Sequence, residues 1–253
     1  MTQYFDYNYS GPAFELFGTG HLIALAIIGA IVVFLLWGWK DPSDDAKRRA
    51  RLLIVIMFLL TEVSWHGWNL ANGTWNIQYH LPLHLCSIAI WSTTYILITR
   101  SYRVYEIVYF FGIIGASQTV LTPEAGIYGL PHFRAIQTLA AHGMVVIALV
   151  YLTAIEGFRP TWASVWKTML VLNVYLVIVT GINYMLGSNY MYTLRKPDTA
   201  SLLDLMGPWP WYLLTAEFLA VLLFSLIYLP FALADKRARE TAKIEPYAHE
   251  RHP

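Results

Sequence analysis

The sequence predicts an all-α fold, a polytopic integral membrane bundle of seven transmembrane helices, and three observations carry that prediction. The 253 residues are 57% hydrophobic and 13% charged, with mean hydropathy +0.48, against roughly 45–50% apolar and about 25% charged in soluble domains. Apolar runs near the ~20 residues that a helix needs to cross a bilayer recur at 18–39, 49–69, 80–99, 103–122, 134–155, 164–187 and 211–234. The basic residues then alternate in sidedness. Lys40, Lys47, Arg48, Arg49 and Arg51 fall in one set of connections with Arg100, Arg103, Arg159, Lys167 and the C-terminal Lys236, Arg237, Arg239, Lys243 and Arg251, while the other side keeps only Arg134, Arg195 and Lys196. The positive-inside rule then places the N-terminus outside and the C-terminus in the cytoplasm.

Each element follows in turn. The opening "MTQYFDYNYSGPAFELF" has no Lys or Arg and no small-residue cleavage pattern after an apolar core, so a cleaved signal peptide is not expected and the first helix stays. Trp37, Trp39, Trp162 and Trp166 mark cytoplasmic boundaries, and Trp65, Trp68, Trp75, Trp209 and Trp211 mark outer ones, where amphipathic rings prefer the headgroup zone. The third and fourth spans are joined by the very short "RSYR". Gly112 and Gly115 in the fourth suit close helix packing. Segment 188–210, "SNYMYTLRKPDTASLLDLMGPWP", is too long for a tight turn and partly apolar. It reads as an outer lid or re-entrant piece, with Arg195 and Lys196 near phosphate level. Residues 235–253 form a polar cytoplasmic tail, expected to be disordered. No repeat is visible. The net charge of +1 and the lack of a basic–aromatic run argue against nucleic acid as a partner.

Polar groups are costly in hydrocarbon, so their depth is informative. On the predicted spans they gather in the outer half: Thr19 and His21; Glu62 and His66; His80, His84 and Cys86; Gln118, Thr119 and Thr122; Arg134, Thr138 and His142 on one helical face; Thr180, Asn183 and Tyr184; Tyr212, Thr215 and Glu217. All seven helices contribute, and the inner half is expected to be nearly pure Leu, Ile, Val, Phe and Ala. This layering predicts a cavity open toward the outer face, whereas structural polar contacts would be scattered in depth. Individual residues also have plainer readings. Glu62 and His66, four apart, suit either a self-satisfied buried pair or a catalytic role. His80, just before Pro82, suits an interfacial position, and Arg134 either snorkels to headgroups or holds a phosphate.

Cys86 is the only cysteine, which excludes an intrachain disulfide and any two-thiol redox motif. A buried lone cysteine is usually a small inert hydrophobe. Its level among the histidines supports a second reading, as a nucleophile whose proton needs a base. His84 lies about 200° around the same helix and is poorly placed for that. His142, on another helix and one turn below Thr138, is the candidate base. Gln118, Asn183 and Tyr184 are candidate oxyanion donors, and Arg134 a candidate phosphate ligand.

The motifs "LPLHLC", "LTPE", "PHFRAIQ", "AAHG" and "TGINYMLGSNYMYTLRKPDTASLLDLMGPWPWY" resemble the YwaF-type bacterial integral membrane proteins over about residues 14–230. A more distant resemblance is to the family of vertebrate transmembrane protein 164, membrane acyltransferases that act on phospholipids through a cysteine. The resemblance implies Cys86 as the acyl-carrying nucleophile with His142 as its partner, through the "HLC" and "AHG" matches. It also implies membrane phospholipids as partners, no cofactor, and a bacterial cytoplasmic membrane location.

Two other classes compete. Glu62 with His66 and His80 with His84 are both spaced by four, as a zinc-dependent intramembrane hydrolase would require. A carrier or receptor would also fit seven spans, a cavity and a lid, although no internal repeat or paired broken helices favour transport.

Overall fold

A computed structural model describes residues 2–123, 126–198 and 201–249. Seven α-helices account for the fold: α1 (Thr19–Val33, continued by a π-helical turn Phe34–Gly38), α2 (Asp44–Ala71), α3 (Leu85–Thr99), α4 (Tyr102–Leu121), α5 (Phe133–Ala154), α6 (Trp162–Leu186) and α7 (Trp211–His249). No strand occurs among the described residues. All except α3 are long and apolar enough to cross a membrane, α3 being a shorter apolar helix. The end of the bundle where α1 begins is called the upper end below.

Local chemistry sets the boundaries. Ser43 caps α2 by accepting from the Ala46 amide at 3.2 Å, with Asp44 and Asp45 in the first turn beside the positive end of the helix dipole. Thr161 and Ser164 cap α6 reciprocally, and Gly187 closes it in the left-handed conformation at φ 64°. α7 runs to His249 in place of the expected disordered tail, because "DKRARETAK" is rich in helix-favouring Ala, Glu, Lys and Arg. Helix α5 is the centre of the bundle: it packs on α1, α2, α3 and most extensively on α4. The apolar core lies in the lower half, around Phe58, Ile96, Phe110, Leu149 and Leu152. Gly112 permits the α4–α5 approach, since a Cβ there would meet Leu149 Cδ1 at 2.7 Å. Gly115 has open space beside it instead.

The third helix departs most from expectation. It begins at Leu85, not residue 80, and its 15 residues span only about 22 Å. Residues 79–84 form irregular backbone held by distant side chains: Tyr190 donates to the Ile77 carbonyl at 2.6 Å and accepts from the Leu81 amide at 2.9 Å, and Tyr175 of α6 donates to the Leu83 carbonyl at 2.9 Å. Non-helical backbone at membrane depth is tolerated where protein satisfies it in this way. In the segment after α6, Asn183 fixes the first turn: it donates to the Tyr190 carbonyl and Thr193 Oγ1, both at 2.9 Å, and accepts from the Tyr190 amide and Ser188. There Met191 and Tyr192 both hold positive φ, at 56° and 54°, costing roughly 1–2 kcal/mol each.

The lower half is less purely apolar than expected. Glu106 of α4 is buried and accepts from Ser164 at 2.8 Å and from Lys167 at 2.9 and 3.0 Å. Glu156, just below α5, accepts from Arg51 and, at 2.7 Å, from Tyr151. Arg100 lies 3.0 Å from its other oxygen, close enough for charge pairing but not aligned as a hydrogen bond. Burial pulls the Glu156 carboxyl upward, but Tyr151, Arg51 and Arg100 outweigh it and hold the group below the usual carboxylate range. These carboxylates escaped the sequence reading because their partners are distant in the chain.

Candidate functional site

A partly open cavity of about 380 Å3 lies in the upper half, walled by α2, α3, α4, α5 and the segment after α6. Glu62, His66, His80, His84, Cys86, Gln118, Thr119, Arg134, Thr138 and His142 all line it, as the shared depth of these residues predicted. Above it opens a vestibule of about 540 Å3, which shares Trp65, Tyr79, His80 and Arg134 with the cavity and adds Tyr7, Trp68 and Tyr128. Below, a small void of about 40 Å3 is lined by Cys86, His142, Ala89, Phe111, Gly115 and Val145. Cys86 and His142 therefore stand together at the junction of a polar space and an apolar one.

Helix geometry places the thiol. Cys86 is the second residue of α3, and the N-cap residue His84 supplies no side-chain cap. The first-turn amides are left to solvent or to a ligand oxygen, at the end of the helix that favours negative charge. The Thr119 hydroxyl, on the facing α4 wall, donates to the Gly115 carbonyl of its own helix at 3.0 Å. On α5, His142 Nδ1 lies 2.8 Å from the Thr138 carbonyl. A carbonyl can only accept, so Nδ1 carries the proton and the neutral ring keeps its lone pair on Nε2. Thr138 thus orients His142 through its backbone, while its hydroxyl accepts from Arg134 at 2.8 Å.

Arg134 does not snorkel away. It donates to Gln137 and Thr138, and its guanidinium lies 4.0 Å over the Trp65 ring at the mouth of the cavity. Glu62 and His66 do not pair with each other either: His66 Nδ1 accepts from the Trp75 indole at 3.0 Å. The His84 ring accepts from the Met191 amide at 3.3 Å, tying α3 to the segment after α6.

Other polar residues of the predicted layer serve structure. His21 accepts from the Phe17 amide and donates to the Val120 carbonyl, joining α1 to α4. Thr180 and Thr215 bond their own helices, and Glu217 accepts from Asn173. Asn183 and Tyr184 do not line the cavity: Asn183 faces the turn it stabilises, and Tyr184 is 70% exposed on the outer surface of α6. The layer therefore does not draw on all seven helices, because the polar groups of α1, α6 and α7 are taken up by backbone and side-chain partners outside the cavity. Gln137 and Tyr192 line the cavity and were not singled out from the sequence, and Trp65, read there only as a boundary marker, lines it too. The signal for Gln137 was its place beside Arg134 and Thr138 on the same helical face.

The alternative zinc set does not fit. His80 uses both ring nitrogens, with Nε2 donating to Asn69 Oδ1 at 3.0 Å and Nδ1 accepting from the Asn76 amide at 3.2 Å. Among the described residues no three His, Cys, Asp or Glu side chains converge as metal ligands.

The N-terminal segment walls the vestibule. Phe5, Asp6 and Tyr7 offer their carbonyls to Trp68 Nε1 at 2.7 Å, His132 Nε2 at 3.1 Å and the Tyr128 hydroxyl at 2.9 Å. Burial pushes both His132 and His80 below the usual histidine value.

Comparison of the sequence with family models matches residues 16–228 to the TMEM164 family, and the chain belongs to that family. Curated proteins and solved structures give no match. The family and the apolar helices together identify a multi-pass membrane protein.

Proposed function

We propose that this member of the TMEM164 family is a membrane-embedded lipid acyltransferase or transacylase that carries its acyl group as a thioester on Cys86. The observation that supports it best is the pairing of Cys86 and His142 on one cavity, with His142 held in the tautomer that leaves Nε2 free to accept a proton. Cys86 attacks an ester carbonyl while His142 Nε2 takes the thiol proton, which it then returns to the departing alkoxide. The thioester passes the acyl group to a hydroxyl of a second lipid by the reverse sequence. Arg134 at the mouth binds the lipid phosphate through its planar fork. Gln118 and the first-turn amides of α3 are candidate donors to the oxyanion.

In this reading α3 counts as a seventh crossing, the N-terminus lies outside, and the cavity opens toward the outer leaflet of a bacterial cytoplasmic membrane, as the YwaF-type resemblance implies. A carrier is less well supported, since the lower half is an apolar core whose carboxylates are paired.

Purified protein reconstituted in phospholipid vesicles should gain an acyl mass on Cys86 that hydroxylamine removes. Cys86→Ala should lose both the adduct and acyl exchange, and His142→Ala should slow both at least ~1,000-fold. Acyl exchange persisting in a folded Cys86→Ala protein would eliminate the thioester route.

A further inference from the structure

We propose that His66 is the donor that stabilises the oxyanion formed at the substrate carbonyl, an inference that rests on the thioester reading above. Four histidines line the cavity, and in two of them, His66 and His142, Nδ1 is held by a group with only one possible role. The Trp75 indole can only donate, and it lies 3.0 Å from His66 Nδ1. His66 therefore accepts there, and its neutral ring carries the proton on Nε2, where no acceptor is found among the described residues. The Thr138 carbonyl imposes the opposite tautomer on His142. One ring thus offers a lone pair to the cavity and the other an N–H, a division suited to taking a proton in one place and receiving negative charge in another.

The neighbours keep these roles apart. Glu62, one turn below His66 on α2, makes no hydrogen bond to the His66 ring among the described residues. The α2 and α5 walls that carry the two rings are tied by Gln137 Nε2, 3.4 Å from the Thr61 carbonyl. A neutral imidazole is the fitting donor here. Its N–H stabilises an oxyanion without transferring its proton.

The proton inventory closes on that assignment. The thiol proton moves to His142 Nε2 as the sulfur–carbon bond forms, and the carbonyl oxygen, now anionic, accepts from His66 Nε2–H, which keeps its hydrogen. Collapse breaks the ester carbon–oxygen bond, and the alkoxide takes the proton from His142. In the second half, His142 deprotonates the acceptor hydroxyl, the oxyanion forms again against His66, and the sulfur leaves as thiolate and regains the proton. His66 cannot be the acid, because giving up its only proton would leave an imidazolate whose other nitrogen already accepts from Trp75.

The test compares His66→Phe, which removes the donor, with His66→Gln, which keeps an N–H, by the single-turnover rate of Cys86 acylation in phospholipid vesicles and by the kcat and KM of acyl exchange. His66→Phe should lower the acylation rate and kcat roughly 100- to 1,000-fold with KM little changed, and His66→Gln should stay within about 10-fold of wild type. Wild-type acylation by His66→Phe, or an equal loss in His66→Gln, would overturn the assignment. Should His66→Phe not fold, Trp75→Phe carries the test: it frees Nδ1, lets the ring exchange tautomers and should slow acylation severalfold, and an unchanged rate would count against the role. Absence of any Cys86 adduct in wild type instead removes the thioester reading itself, which separates the two failures.

Discussion

The two halves of the bundle both bury ionisable side chains, and they differ in what those groups have left to offer. In the lower half Glu106 is matched by Ser164 and Lys167, and Glu156 by Arg51, Tyr151 and Arg100, so each carboxylate is answered by groups within the fold. In the upper half His66 and His142 each have one nitrogen fixed by a neighbour and the other turned over to a cavity that also holds the only thiol. Burial of a polar group therefore does not by itself mark function in this protein. In the proposed function, residual hydrogen-bonding capacity beside an open space does.

The contrast can be broken at its lower end. Glu156→Ala leaves Arg51 facing the bundle without its counter-charge, and the loss should be about 3 kcal/mol of stability, read as an earlier unfolding transition in mixed micelles. That figure is at the lower limit for a broken buried pair because the Arg100 side chain is 57% exposed. Acyl exchange per folded molecule should not change. A variant with normal stability and lost exchange would make the lower cluster part of the chemistry.

A smaller effect is expected at the segment after α6. Asn183→Ala removes the bonds to Tyr190, Thr193 and Ser188 and should destabilise that turn locally by about 2 kcal/mol, which raises its open population roughly 30-fold. Trypsin cleavage after Arg195 should accelerate accordingly. Unchanged cleavage would mean that Trp209 and Tyr212, which bond Thr193 and Tyr192, hold the segment without Asn183.

The smallest effect is a pH dependence of the N-terminal cover. In the folded state His132 accepts from the Arg134 amide and donates to the Asp6 carbonyl, which uses the neutral ring completely. Its value is depressed from 6.5, chiefly by burial, so the released segment binds a proton more readily than the docked one. The contribution is complete above about pH 6.5 and declines as pH falls below it toward the depressed value. Proteolysis of the N-terminal segment should quicken between pH 7 and 5, and the His132→Asn protein should show a weaker dependence. A cover that tightens on acidification would reverse the assigned sign.

The sequence made the helices legible because their apolar runs and caps are local. Six of the expected spans agree with the helices to within a few residues at their boundaries, the extension of α2 toward Asp44 and of α7 to His249 apart. The shared level of Cys86, His142, Glu62, His66 and Arg134 was also legible, since depth along a helix can be counted. The start of α3 was not. Leu81 and Leu83 read as the first turn of an apolar helix, and only Tyr190 and Tyr175, far along the chain, hold that stretch irregular. Nor could spacing alone separate His66 and His142, each with one nitrogen fixed by a neighbour, from His21 and His80, whose partners are backbone and loop groups.

The brevity of α3 has a consequence for biogenesis. Fifteen residues form a weak insertion signal, and the Leu81 amide and the Ile77 and Leu83 carbonyls lack their partners until Tyr175 and Tyr190 arrive. Only Arg100 and Ser101 separate α3 from α4, so on the proposed seven-crossing topology the two would enter the bilayer as one helical hairpin, and Cys86 would reach its final environment only after α6 and the turn beyond it have been synthesised.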